Sequence, residues 1–199
     1  MNTVTVRSYS SPPLNIRAIG HYAGCQRDDA AFFELISECL GEAEKLLTYK
    51  VSYAVYPLKI QGDTLDLGFT SVDSKDLKKC LDGCEKIIVF SATVGLSADR
   101  LVKKYSRISP SKALVMNALC TERIERLCDM FCWDIKREYE SLSYTLTPRF
   151  SPGYGDLPLS MQPHILSATY ALKNIGITLS DSLLMIPTKS VTAIIGIKK

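Results

Sequence analysis

The 199-residue sequence predicts an α+β fold. Three observations carry this reading. Segments of strand-type alternation and helix-type periodicity both occur, two strands follow one another directly across a Gln61-Gly62-Asp63 turn, and helices alternate with strands in no strict βαβ order. A composition of 46% hydrophobic, 23% charged and 9% aromatic residues is that of a packed chain, and it excludes coiled-coil, collagen-like and tail-like sequences.

In chain order, residues 3–8 (TVTVRS) alternate as a short strand, which SSPPLN then interrupts. Asp28 or Asp29 is placed to cap a helix running to about Leu47. Phe32, Phe33, Leu35, Ile36, Cys39, Leu40, Leu46 and Leu47 give that helix a broad apolar face suited to a sheet. Residues 51–60 and 64–72 read as the two arms of a hairpin, with Leu65, Leu67 and Phe69 alternating against Asp66 and Gly68. Asp73-Ser74-Lys75-Asp76 opens a short helix ending near Gly83. The apolar run after Lys86, up to Gly95, is expected to be a central, buried strand.

Ser97-Ala98-Asp99 begins another helix, and Pro110, tolerated in a first turn, opens a long one. On the long helix Ile124, Leu127, Cys128, Phe131 and Ile135 form a core-facing stripe, with Glu122, Arg123, Arg126, Lys136 and Arg137 on other faces. Residues 145–163 carry four prolines, two glycines and little periodicity, which marks an irregular loop. Loops of that length in compact domains are usually functional or disordered, and the position of this one between two helices favours function. A helix over 162–174, closed by Gly176 in a left-handed cap, and a terminal strand over 190–197 complete the chain. Because the long helix and the terminal strand must jointly frame the loop, residues 1–199 are expected to form one domain.

The 24 basic and 21 acidic residues leave a net charge of +3, too little for the clustered basic face of a nucleic-acid protein. No apolar run approaches the roughly 18 residues needed to span a bilayer, and the first residues lack a signal-peptide pattern. The expectation is a cytoplasmic chain with neither nucleic acid nor membrane as partner. Its seven cysteines, including Cys25, are an odd number and read as reduced thiols. The i,i+4 pairs Cys80/Cys84 and Cys128/Cys132 suit core packing, with a metal site as the alternative.

No dinucleotide-binding, Walker A, nucleophile-elbow or H-E-x-x-H motif occurs, and His21 and His164 are the only histidines. What remains is the loop around Arg149, Pro152, Gly153, Tyr154, Gly155 and Asp156. The prolines stiffen it and the glycines permit close backbone approach or positive φ. Tyr154 offers a flat face, Asp156 a carboxylate, and Arg149 a fork able to hold a carboxylate bidentately. Such a loop is able to grip an amino-acid-like ligand with an aromatic base and a cationic centre. The alternative is a Pro/Gly turn with a surface arginine.

Arg149-x-x-x-Gly153-Tyr154 matches the R-x-x-x-G-Y signature of the S-adenosylmethionine-binding activation domain of cobalamin-dependent methionine synthase. The continuation SPGYGDLPLSMQ, a helix and then IGITLSDSLLMIPTKSVTAIIG resembles the next segment of that domain in consistent order. Ala92-Thr93-Val94-Gly95 with the helices that follow is similar to the stand-alone activation subunits of methionine synthases lacking this domain. The resemblance implies a twisted, mainly antiparallel sheet flanked by helices. It implies S-adenosylmethionine as cofactor, held by Arg149 and the backbone around Gly153–Asp156, with Tyr154 shaping the pocket.

The implied activity is methionine synthase reactivation, in which cob(II)alamin carried by a partner is reductively methylated to methylcobalamin. A flavodoxin-like or other low-potential donor would supply the electron. Glu122 is a further candidate for a carboxylate near the cationic ligand, against the alternative of a solvated helix residue. The chain departs from methionine synthase at Gly155-Asp156-Leu157, at Ser160 in place of a histidine, and at Ile194 or Ile195 in place of an aromatic pair. Two other readings are a corrinoid-protein interaction subunit without methyl transfer and an independent methyltransferase. The second of these lacks a Gly-rich first βα turn.

Overall fold

A computed structural model describes residues 3–24 and 30–199, so the expected cap at Asp28 or Asp29 and the thiol of Cys25 lie outside the described residues. The elements are β1 (Thr5–Tyr9), α1 (Ile16–Tyr22), α2 (Ala30–Ala43), β2 (Tyr49–Pro57), β3 (Lys59–Gln61), β4 (Thr64–Asp66), β5 (Ser71–Asp73) and α3 (Lys75–Cys80). They continue with β6 (Lys86–Thr93), α4 (Ser97–Ser106), α5 (Pro110–Glu140), β7 (Thr145–Leu146), a 3₁₀ turn (Leu159–Met161), α6 (Gln162–Ala168), α7 (Ala171–Ile175), β8 (Thr178–Leu179), β9 (Met185–Ile186) and β10 (Ser190–Lys198).

The main sheet has the order β1-β2-β6-β10-β7, every neighbouring pair antiparallel. The fold class predicted from the sequence is therefore observed, and the expected central strand is β6, buried on both faces between β2 and β10. Strand alternation divides its side chains between two cores. Ile88, Phe90 and Ala92, with Ala193 and Ile195 of β10, face a helical layer in which Ile124, Leu127, Cys128, Phe131 and Ile135 of α5 are all buried. Phe131 sits between Phe90 and Tyr53, with ring centroids 4.8 and 5.2 Å away. Ile87, Val89 and Ile194 face the other way, into a core closed by Leu65, Leu77, Leu81, Leu157, Met161 and Ile165.

Local chemistry accounts for the helix starts. Asn15, Ser74 and Ser109 accept from the N–H groups of Ala18, Leu77 and Lys112, capping α1, α3 and α5, and Pro110 takes the first turn of α5. Gly176 closes α7 in the left-handed conformation, as the sequence indicates.

Several expectations need correction. The turn Gln61-Gly62-Asp63 joins β3 to β4, three-residue strands of a separate small sheet, whereas residues 49–57 belong to the main sheet. Pro57, with no N–H to continue the ladder, marks the division. The helix expected over 162–174 is broken at Tyr170, which takes a positive φ of 49°. The Thr169 carbonyl just before the break accepts from the Ser52 hydroxyl at 2.6 Å, and the Thr169 hydroxyl pairs with Ser91 at 2.8 Å, so the helix end is committed to the sheet. The second helix stops at Ala43, and α1, β7, β8 and β9 have no counterpart in the sequence reading.

Cys39, Cys120 and Cys128 are core residues whose thiol pKa values burial pushes up, to about 11 at Cys39 and about 12 at Cys120. Among the described residues no helix is long and apolar enough to cross a membrane.

Candidate functional site

The irregular segment after β7 is tied down on three sides. Thr147 donates its N–H to the Gly196 carbonyl at 3.0 Å, and the Gly196 N–H returns a bond to the Thr147 hydroxyl at 2.9 Å. Phe150 and Ile194 then exchange both backbone hydrogen bonds at 2.8 Å, so the chain runs beside β10 beyond the end of β7. Between these ties Arg149 crosses to α5, donating to the Glu125 carboxylate, with Asp129 4.0 Å away. Burial opposes the Arg149 charge, but the Glu125 carboxylate it donates to favours the charge and helps push the guanidinium pKa up. Its positive charge is permanent.

The third tie is Asp156. Its carboxylate accepts from the Ser74 hydroxyl and from the N–H groups of Lys75 (2.7 Å) and Asp76 (3.2 Å) at the start of α3. The Ser74 bond first, and these N–H groups next, hold its pKa below the ordinary carboxylate value. The turn needs its glycines. Gly153 (φ +86°) gives its N–H to the Leu157 carbonyl at 2.8 Å, and a Cβ on Gly155 (φ +55°) would run into the Asp76 carboxylate. Leu157 anchors the far end in the second core.

These ties frame a cleft of about 400 Å³ between α5, the loop, β9 and the first half of β10, a size that falls in the range of roughly 300–1,000 Å³ usual for small-molecule sites. Glu125 and Arg149 form its charged part. Ser151, Pro152, Tyr154, Gln162, Met185 and residues 190–192 of β10 line the rest. Tyr154 is 71% exposed, edge-on to Phe150 at 5.5 Å. Ser190 donates to Thr93 at 2.9 Å, keeping its oxygen available as an acceptor.

The structure therefore brings Arg149, Pro152 and Tyr154 together at the cleft. Gly153 and Gly155 shape the turn, while Asp156 points to α3 and is spent on that helix. Glu122 does not line the cleft, nor is it solvated. It is 1% exposed and bonded to Arg123 at 2.6 and 2.8 Å and to the Asn15 N–H at 2.8 Å. The carboxylate beside Arg149 is Glu125, three residues further along α5. Sequence reasoning also passed over Gln162, although it closes the SPGYGDLPLSMQ segment. A polar residue beside the apolar Met161 at a helix start was the available signal. Among the described residues no group of three His, Cys, Asp or Glu is placed to hold a metal ion.

No protein-family model and no curated protein matches the sequence. Among solved structures, the chain is similar to the MetH reactivation domain bound to AdoHcy. The TM-score is 0.71 at 16% identity, covering 98% of this chain and 78% of that one, and the two share a fold of one curled antiparallel sheet flanked by helices.

Proposed function

We propose that the chain is a stand-alone reactivation subunit for a cobalamin-dependent methionine synthase or a related corrinoid protein, with S-adenosylmethionine bound in the cleft. The observation that carries the reading is the Arg149–Glu125 pair beside the SPGY loop, in a chain with the fold of the MetH reactivation domain. The amino-acid end of S-adenosylmethionine is a zwitterion. Arg149 offers a fork to its carboxylate and Glu125 an acceptor to its ammonium. Arg149 and Glu125 neutralise each other at the cleft edge, so the zwitterionic end of the ligand, entering between them, replaces one ion pair by two.

When bound, S-adenosylmethionine supplies an activated methyl group, which passes to the partner's cobalamin together with one electron from a flavodoxin-like or other low-potential donor, leaving methylcobalamin and S-adenosylhomocysteine. The residues of this chain hold and orient the donor, and such positioning is where a protein contributes most to a transfer between two already reactive centres. Tyr154, exposed at the rim, covers the ligand from the solvent side.

Calorimetric titration with S-adenosylmethionine tests the reading. Binding is expected, with affinity falling about 10- to 100-fold in Arg149→Ala, the range for loss of a charged hydrogen-bond pair. A wild-type chain that shows no heat at millimolar ligand removes the proposal. A second reading, an interaction subunit without methyl transfer, draws on Ile194 and Ile195. One or the other stands where the resemblance puts the aromatic pair of methionine synthase, and both are buried. Partner binding with no dependence on S-adenosylmethionine would favour it.

A further inference from the structure

Among the described residues, two buried side-chain oxygens lack a hydrogen-bond partner, Tyr9 Oη and Gln162 Oε1. Only Gln162 lines the cleft. It is 6% exposed, and its backbone is fixed by the bond from its N–H to the Leu159 carbonyl and by Pro163 after it. A buried acceptor left unpaired is a standing cost that natural interiors rarely carry. The terminal amide torsion is soft, so the Gln162 amide is able to turn toward the cleft with the backbone of α6 in place.

The polar groups of the cleft divide by charge. Glu125 and Arg149 carry charge of opposite sign, whereas Ser151, Tyr154, Gln162, Ser190 and Thr192 are neutral. The neutral part suits an uncharged heteroaromatic base, since a second charged group there would meet no counter-charge. Of these neutral groups only the amide presents an acceptor and a donor side by side in one plane. That pattern complements the exocyclic amine of adenine and N7 beside it, a donor next to an acceptor, where hypoxanthine presents two acceptors. A hydroxyl has no such fixed pair.

We infer that the Gln162 amide reads the adenine edge of the bound nucleoside and sets the base selectivity of the cleft. The inference rests on the reading that the cleft takes an adenosyl ligand. Calorimetry with S-adenosylhomocysteine and S-inosylhomocysteine, which has a carbonyl in place of the amine, tests both and separates them. The wild-type chain is expected to favour the adenosyl compound by about 5- to 150-fold, the span of a bidentate amide–adenine contact. In Gln162→Met, of similar length, the ratio is expected to fall toward one, with the loss confined to the adenosyl compound. Arg149→Ala is expected to weaken both ligands equally and leave the ratio intact.

Equal wild-type affinities, or a preference that survives in Gln162→Met, overturn the role of Gln162 while the site reading stands. Failure of both compounds to bind the wild-type chain overturns the site reading and the inference with it. If Gln162→Met is unfolded by circular dichroism, Gln162→Leu replaces it. That variant likewise removes both the donor and the acceptor, so a reduced ratio supports the role and an unchanged ratio overturns it.

Discussion

Arg123 is among the largest fully buried side chains, on a helix face where periodicity expects solvent. Its guanidinium bonds the Glu122 carboxylate at 2.6 and 2.8 Å, the Pro12 carbonyl at 2.7 Å and the Pro13 carbonyl at 3.2 Å, with Glu44 3.6 Å away. Glu122 in turn accepts from the Asn15 N–H, so one ion pair fixes the Pro12–Asn15 turn against the middle of α5. Truncating one member of a buried pair strands the other without its counter-charge. Arg123→Ala is therefore expected to cost about 3–5 kcal/mol in denaturant unfolding. The double variant Glu122→Gln/Arg123→Met is expected to cost less than the sum of its single changes. Additive costs would mean that the two residues act independently.

Between elements, the same ties that shape the cleft make the loop depend on α3. Asp156 is the link, with its pKa depressed chiefly by the Ser74 hydroxyl and then by the N–H groups of Lys75 and Asp76. A carboxyl whose folded pKa is depressed adds stability that is complete above its unfolded value of about 3.9 and is lost as pH falls through the folded value. Asp156→Asn is expected to be less stable than wild type at pH 7, with the gap closing as the pH is taken below about 4. Urea midpoints at several pH values check this, and a gap independent of pH would show that the carboxylate charge does not hold the loop.

This tie also shows where sequence reading stops. The stripe Ile124, Leu127, Phe131 and Ile135 was legible because one period decides it, as were Gly176, Pro110 and the continuous apolar run of β6. The loop with Arg149, Pro152 and Tyr154 stood out as a candidate site because composition and motif coincide there, and these three residues line one cleft. Asp156 gives no local sign that its partner is Ser74, 82 positions earlier. Glu125 differs from Glu122 only by what lies opposite each, Arg149 in one case and Arg123 with the Pro12–Asn15 turn in the other. The break at Tyr170 carries neither Gly nor Pro, since bonds from the sheet to Thr169 impose it.

Across the whole molecule, β6 and β10 serve both cores at once. Ile88 and Phe90 are buried against α5, while Ile87 and Val89, one position away, are buried against the α3 and loop side. Neither core keeps its floor if the other loses these strands, so the chain is expected to unfold as one cooperative unit. Trp133, 60% exposed on α5, reports on the helical side by fluorescence. Hydrogen exchange at the amides of Phe150 and Ile194 reports on the loop side. The opening free energies from the two amides are expected to match the global value from Trp133 in the same buffer. Under the proposed function, saturating S-adenosylhomocysteine is expected to raise both measures equally, by about 2.7 kcal/mol at 100 times its Kd, because a ligand that binds only the folded state stabilises everything that unfolds with its site. A gain confined to the loop amides would divide the molecule into two units, with the ligand site belonging to the loop and α3 side alone.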